Sequence, residues 1–194
     1  MHPSDFLASG MVVPRRFRLG EYHRLIDVGV LGEDERVELL EGVIVEMTPQ
    51  GRPHALVISR LNHVLARALG GAYRVRPQLP LSLGEDSEPE PDLAVVTLQE
   101  EETAEVHPRS ALLVVEVSGE DSLRKDRVLK GRIYAQAQVP EYWLVDVAHH
   151  TVEVYTEPDA QAGRYRGLRT LGVGELLRAS GLPEVSLPVA DLFA

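Results

Sequence analysis

Two carboxylates stand at the ends of two neighbouring strand candidates in the middle of the chain. Asp92 comes directly before the apolar run 93–96, and Glu116 lies near the end of the run 112–117, the most apolar in the sequence. If these strands pair antiparallel, the start of one lies beside the end of the other, and both side chains converge at one edge of a sheet. A charge inside an apolar strand is costly unless it meets a cation, a donor or a metal. Glu116 therefore either pairs with an arginine as part of the scaffold or belongs to a site.

The 20 basic side chains include only two lysines, Lys125 and Lys130. Both lie on a predicted helix, 122–137. At about 100° per residue, Lys130 falls in the middle of the apolar face beside Asp126, whereas Lys125 falls toward the edge and is expected to be a solvated surface lysine. Lys130 therefore needs anionic partners. These are either the site acids or Asp126 alone, four residues earlier, in a self-contained ion pair.

Two carboxylates and a lysine at a sheet edge have a consistent chemical use. Carboxylate oxygens bind Mg²⁺ or Mn²⁺ while leaving waters on the ion. Such a metal lowers the pKa of a bound water and neutralises charge that develops on a phosphate. A neighbouring lysine can orient or deprotonate the attacking water and stabilise the transition state. Asp92, Glu116 and Lys130 are therefore the candidate catalytic residues for metal-dependent phosphodiester hydrolysis.

Further side chains are candidates for the same site. Glu38 lies in an alternating run, so the strand register decides whether its carboxylate faces the site. His54 opens a predicted helix and is equally consistent with a surface histidine, and Gln78 lies in a proline-bearing edge segment. Asp126 is an auxiliary candidate because it neighbours Lys130.

Other polar and aromatic groups are expected to be structural. Tyr134, Tyr142 and Trp143 are assigned to the core rather than to base stacking. His149 and His150 lie between two strand candidates, which predicts an exposed turn, and the acidic run 85–90 predicts a solvated loop.

The elements that must position these residues alternate along the chain. The patterns predict helices at 17–30, 54–69 and 122–137, hairpins at 37–47 and 141–155, and strands at 92–96, 112–117 and 164–170. Two short strands interrupted by Pro77 and Pro80 are predicted, and the prolines suit an edge strand of the sheet, where a backbone amide is not needed for pairing. Residues 99–110 are expected to be a polar connection, and 187–193 a short helical turn. The predicted fold is α/β or α+β, with one mixed sheet flanked by helices.

Composition restricts the function further. With 194 residues, the chain predicts a leader at 1–16 and one domain at 17–194. The absence of cysteine removes disulfides and thiolate zinc sites, and since no apolar run approaches ~18 residues, we expect a soluble, cytoplasmic protein. A net charge of -10 argues against electrostatic binding of a polyanion by the whole surface. Binding of nucleic acid would then need a local arginine patch, for which the candidates are Arg52, Arg60, Arg67, Arg74 and Arg76.

Several segments together resemble a known family. The strings PDLAVV, LLVVEVS and DSLRKDRVLKGRIYAQAQVPEYWLVDV, with RVELLEGVIVEM near the front, resemble the putative restriction endonuclease domain family of the PD-(D/E)xK nuclease superfamily. The resemblance covers about 19–192 and implies a mixed sheet flanked by helices. It implies Asp92 and Glu116 as metal ligands, with Glu38 as a further acid. Ser118 stands where the superfamily pattern has its lysine, and a lysine displaced to the following helix matches Lys130.

These observations leave three functional hypotheses. The leading one is a Mg²⁺- or Mn²⁺-dependent endonuclease acting on DNA, with a homodimer expected by analogy with other nucleases of the superfamily. The second keeps the fold but drops catalysis, leaving a protein that binds a metal or a partner. The third uses the same residues on RNA or a small phosphoester.

Overall fold

The computed structural model describes residues 13–32 and 34–194, so most of the predicted leader lies outside the described residues. The elements in chain order are α1 (Leu19–Asp27), β1 (Val37–Leu40), β2 (Val43–Glu46), α2 (Arg52–Ala68), β3 (Tyr73–Pro77), β4 (Leu93–Thr97), α3 (Leu98–Thr103), β5 (Leu113–Ser118), a π-helical segment (Lys125–Lys130), α4 (Gly131–Gln136), β6 (Glu141–Asp146), β7 (Thr151–Asp159), β8 (Arg164–Leu171), β9 (Leu176–Arg178), β10 (Ser186–Pro188) and α5 (Ala190–Phe193). We refer to the π-helical segment as the π segment.

Six strands form a mixed sheet in the spatial order β3-β4-β5-β6-β7-β8. The neighbouring strands are antiparallel except for β5 and β6, which are parallel. β5 is buried along its whole length because it lies at the centre of the sheet and is covered on both faces. The predicted mixed sheet flanked by helices is confirmed.

Alternation along β5 divides its side chains between two cores. Leu113, Val115 and Val117 share one core with the buried face of α2. Val114 shares the other with α4 and with Leu40 of β1. Glu116 lies on the same face as Val114, so its carboxylate points toward the layer that contains the π segment.

The hairpin of β1 and β2 depends on a tight turn between them. Glu41 has φ 49° and Gly42 has φ 77°, which matches a two-residue hairpin turn with both central residues at positive φ. Space also requires the glycine, because a Cβ there would lie 2.6 Å from the Cβ of Arg16. The turn sets the register that pairs Glu38 with Val45.

Most predicted elements are present, with shifted ends. The helix predicted at 17–30 is Leu19–Asp27, and the one at 54–69 is Arg52–Ala68. The second strand expected after Pro77 is only an isolated bridge, Leu83 to Ser87. The connection predicted at 99–110 contains α3, whose first turn is capped when the Thr97 hydroxyl accepts the amide of Glu100 at 3.1 Å.

The core aromatic residues and the histidine turn match their predictions, whereas the acidic loop does not. Tyr134, Tyr142 and Trp143 are fully buried, as predicted. His149 and His150 lie in an exposed turn, as predicted. The acidic loop was expected to be solvated throughout, but Ser87 and Glu88 are buried, because the Ser82 hydroxyl donates to Glu88 at 2.6 Å and His23 contacts the same carboxylate.

Within residues 13–32 and 34–194, no helix combines the length and apolar character needed to cross a membrane.

Candidate metal and phosphodiester site

The antiparallel pair β4 and β5 brings the two predicted acids together. Leu93 pairs with Val115, so the residue before Leu93 lies opposite the residue after Val115, and these are Asp92 and Glu116. The carboxylate of Asp92 also accepts the backbone amide of Val117 at 2.8 Å. The antiparallel arrangement inferred from the sequence is therefore present, and both acids lie at one edge of the sheet.

The start of α2 holds the Asp92 carboxylate. His54 Nε2 lies 3.0 Å from Oδ2, and the Gln50 side-chain amide donates to Oδ1 at 3.2 Å. Pro53 suits the first turn of this helix because its missing amide proton is not needed there. His54 thus reaches the site, as an auxiliary residue would. Gln50 was missed, since a glutamine in a loop carries no sequence pattern.

Glu116 is 3% exposed and receives two contacts on the same oxygen. Lys130 Nζ lies 3.0 Å from Oε1, and the Tyr134 hydroxyl donates to Oε1 at 2.5 Å. Burial raises the pKa of Glu116 to about 8, against the opposing effect of Lys130 and with help from the nearby carboxylates of Asp126 and Asp92. The Tyr134 hydroxyl was missed, because a tyrosine on an apolar helix face looks like core.

Glu38 connects the N-terminal hairpin to both lysines. Its Oε1 lies 3.0 Å from Lys125 Nζ, and its Oε2 lies 2.9 Å from Lys130 Nζ. The backbone amide of Glu90 also donates to Oε2 at 3.3 Å. Burial alone would raise the pKa of this carboxyl, but the two ammonium groups outweigh it and lower the pKa. Glu38 therefore anchors both lysines in this structure, and its role as a further metal ligand stays a prediction.

The π segment explains why both lysines reach the same carboxylate. On an α-helix, residues five apart point about 140° away from each other, which is why Lys125 was predicted to be solvated. The π-helix closes hydrogen bonds from i to i+5, so Lys125 and Lys130 lie on nearly the same face. The prediction for Lys125 is therefore wrong: its side chain is 23% exposed and paired with Glu38.

Asp126 does not form the self-contained pair with Lys130. It is buried and accepts the Ser118 hydroxyl at 2.6 Å. Among the described residues, the ion-pair partners of Lys130 are Glu38 and Glu116. Burial lowers the pKa of Lys130, but the adjacent carboxylates raise it by more, so this ammonium keeps its charge at neutral pH. Ser118, two residues after Glu116, thus holds Asp126.

These side chains line one cleft of about 380 Å³. Its walls include Glu38, Asp92, Glu116, Lys125 and Lys130, with His54 and Glu90 at the side. Gln78 was predicted as an auxiliary residue, but it is outside this lining and its side chain is exposed. Its backbone amide instead donates to the Asp92 carbonyl at 3.1 Å.

A family model described as putative restriction endonuclease matches residues 19–190. The chain belongs to this family. Membership in the putative restriction endonuclease family supports a nuclease function and an interaction with nucleic acid. No protein with a curated description matches the chain.

A solved structure with the same architecture supports the fold. It is the crystal structure of a putative nuclease belonging to DUF820 from Anabaena variabilis, with a TM-score of 0.73 and 21% sequence identity. The similarity covers 91% of this chain and 97% of the other. The two chains therefore share one architecture over nearly their full lengths.

The donor set of this family member fits a loosely held hard cation. In the described part of the chain, no group of three or more acidic or histidine side chains is arranged to hold a metal. Mg²⁺ does not need such a group, because it keeps several waters and is usually bound through one or two carboxylates plus substrate phosphates. Asp92 and Glu116 supply two carboxylates, and both contacts to Glu116 leave its second oxygen as a ligand atom.

The arginines predicted to form a DNA-binding patch separate into two groups. Arg76 is 7% exposed and donates to Glu101 and to the Pro80 carbonyl. Arg60 donates to the Leu192 carbonyl at 2.9 Å. Arg52, Arg67 and Arg74 are exposed. Of these, Arg52 begins α2, beside the loop that lines the cleft.

Proposed function

We propose that this protein is a metal-dependent endonuclease that hydrolyses phosphodiester bonds in DNA. The observation that carries the proposal is the strand register that puts Asp92 opposite Glu116 at one edge of the sheet, with Lys130 3.0 Å from Glu116. Family membership supports the nuclease part of the proposal.

Asp92 and Glu116 would hold Mg²⁺ or Mn²⁺, which lowers the pKa of a bound water and neutralises charge on the phosphate. Gln50 and His54 keep the Asp92 carboxylate oriented. Lys130 stays protonated, so it serves as a hydrogen-bond donor and a positive charge rather than as a general base. An ammonium has three donors, and two of them point to Glu38 and Glu116, which leaves one for a substrate or water oxygen.

A nicking assay tests this proposal. Supercoiled plasmid DNA should be nicked with Mg²⁺ or Mn²⁺ and left intact with EDTA. Asp92→Asn should abolish nicking and Mn²⁺ binding in calorimetry while circular dichroism shows a folded chain. Asp27→Asn, a matched change at the exposed end of α1, should leave both intact. Unchanged Mn²⁺ affinity in Asp92→Asn would contradict the metal assignment.

One observation favours a second candidate, a metal- or partner-binding protein without nuclease activity. Arg60 and Arg76 make internal contacts in a chain of net charge -10, which reduces the positive charge available to a polyanion. This candidate predicts that Asp92-dependent Mn²⁺ binding persists while neither plasmid DNA nor RNA is cleaved.

A further inference from the structure

A second groove adjoins the cleft at the start of α2. It is lined by Arg52, Leu56, Arg60, His150 and Phe193. Pro53 and Val147 line both the groove and the cleft, so the two are continuous. A nucleic acid strand whose reacting phosphate lies in the cleft would therefore extend along this groove.

The groove contains two arginines although the protein is acidic. Among the described residues that line it, none has a carboxylate side chain, and Ala194 is part of the lining. Arg60 donates to the backbone oxygens of Leu192 and Ala194, so the exposed Arg52 is the arginine available to an anion. Arg52 also stands at the first turn of a 17-residue helix that has no acidic residue in that turn, and amides at a helix N-terminus favour an anion.

The same groove has an aromatic wall. The rings of His150 and Phe193 stack, with centroids 4.7 Å apart and planes at 17°, and His150 is exposed. Asp146 fixes the turn that presents His150, because its carboxylate accepts the amides of Ala148 at 3.0 Å and His149 at 3.1 Å. A stacked pair beside an arginine suits a nucleobase and its phosphate.

We propose that this groove, called here the strand groove, binds an unpaired nucleotide next to the scissile phosphate. Arg52 contacts the phosphate, and the His150–Phe193 pair stacks against the base. The base must be unpaired because the bases of a duplex already stack on their neighbours and do not offer a free face to a side chain. The position relative to the scissile bond rests on the function proposed above.

Fluorescence anisotropy with a labelled single-stranded oligonucleotide in EDTA tests the strand groove without cleavage. Replacing a side chain on which a base stacks by alanine weakens binding by about an order of magnitude. His150→Ala should therefore bind roughly tenfold more weakly. His150→Phe keeps an aromatic ring at the same backbone position and should retain most of the affinity. Arg52→Gln should weaken binding and reduce the slope of log affinity against log salt by about 0.7.

Arg164→Gln is the matched control, because Arg164 is exposed and pairs with Asp159 at the end of the β7–β8 hairpin remote from His150, and this variant should bind as the wild type does. Equal binding by wild type, His150→Ala and Arg52→Gln would overturn the strand groove. Tighter binding of a duplex of the same sequence, with no effect of His150→Ala, would overturn the unpaired base.

The two proposals fail differently. If His150→Ala and Arg52→Gln lose strand binding but the wild type never nicks DNA, the strand groove stands and the nuclease proposal fails. If the wild type nicks DNA and both variants bind normally, the nuclease proposal stands and the strand groove fails.

Discussion

Lys130 is the residue on which the site depends most. It is 3% exposed and joins two buried carboxylates that come from different parts of the chain, Glu38 in β1 and Glu116 in β5. A buried cation with two anionic partners is retained at a cost in desolvation. That cost is consistent with a role in which a fixed positive charge is needed next to a reacting phosphate.

The two lysines should differ when each is replaced by methionine. Lys130→Met leaves Glu116 without its cation, and removing one partner of a buried pair costs about 3 kcal/mol or more. We expect it to abolish nicking. Lys125→Met removes a partly exposed partner and should cost about 1 kcal/mol while nicking is retained. Urea unfolding and plasmid nicking measure the two effects.

If Lys130→Met is too unstable to assay, Lys130→Arg keeps the charge and separates folding from function. It should fold with a stability nearer the wild type but nick poorly, because a planar guanidinium does not reproduce the ammonium contacts. Full nicking by Lys130→Met, with loss of nicking in Lys125→Met, would reverse the assignment.

Glu38 should make stability depend on pH. Its folded-state pKa is lowered below the ordinary value of 4.5 by the two lysines, despite burial. A lowered acid pKa contributes stability that is present above the unfolded value and is lost as the pH falls through the folded value. The difference in unfolding free energy between wild type and Glu38→Gln should therefore be full at pH 7 and shrink below about 4.5.

Chemical unfolding between pH 3 and pH 7 measures this difference, and Glu102→Gln on the exposed side of α3 is the control, with little expected effect. A difference that stays constant across this range would show that the lysine contacts of Glu38 do not contribute as charge pairs.

At the scale of elements, the π segment is the device that assembles the site. The π segment continues directly into α4, so this helix consists of a short π-helical part followed by an α-helical part. The wider winding brings Lys125 and Lys130 to one face and Asp126 to Ser118. Single π turns inside helices are often associated with function because they carry one extra residue per turn.

Deleting Val128 should restore an α-helix in which Lys125 and Lys130 are four residues apart, and at 3.6 residues per turn these stay within about 40° of each other. Val128 is suitable because it is 59% exposed. In the deletion variant, Lys125→Met should therefore still cost about 1 kcal/mol in unfolding free energy, as it does in the intact chain. A double-mutant cycle by urea unfolding measures the coupling. Loss of this cost in the deletion variant would contradict the view that the π winding accommodates one extra residue between the lysines.

At the scale of the whole molecule, charge is distributed unevenly. The chain carries 30 acidic and 20 basic side chains, yet both of its lysines lie in the cleft and Arg52 lies beside it. The cleft itself is lined by seven acidic residues beside the two lysines, so a bound cation and the adjoining Arg52 would have to offset this negative charge for a phosphate to enter. The residues of the proposed site lie at one end of the sheet, where β4, β5, the π segment and the start of α2 meet.

Several features of this protein were determined by the sequence alone. The apolar run after Asp92 and the apolar run before Glu116 identified two central strands, each with an acid at its end. The periodicity of the helix around Ile133 placed Lys130 on a buried face, because alternation and helical phase report directly which side chains leave water. These are local signals, and each depends on residues within about ten positions.

Only the tertiary structure decided how the charges are paired. Lys130 could meet Asp126 or the site acids, and the choice between them depended on β1, which delivers Glu38 from 92 residues away. The sequence also did not reveal the π-helical winding that brings Lys125 to Glu38. Nor did it reveal the contacts of Gln50 and His54 with Asp92, or the position of Gln78 outside the cleft. The physical reason is that a buried charge is satisfied by whichever partner the packing of distant elements brings within hydrogen-bonding distance, and no local pattern in the sequence records that distance.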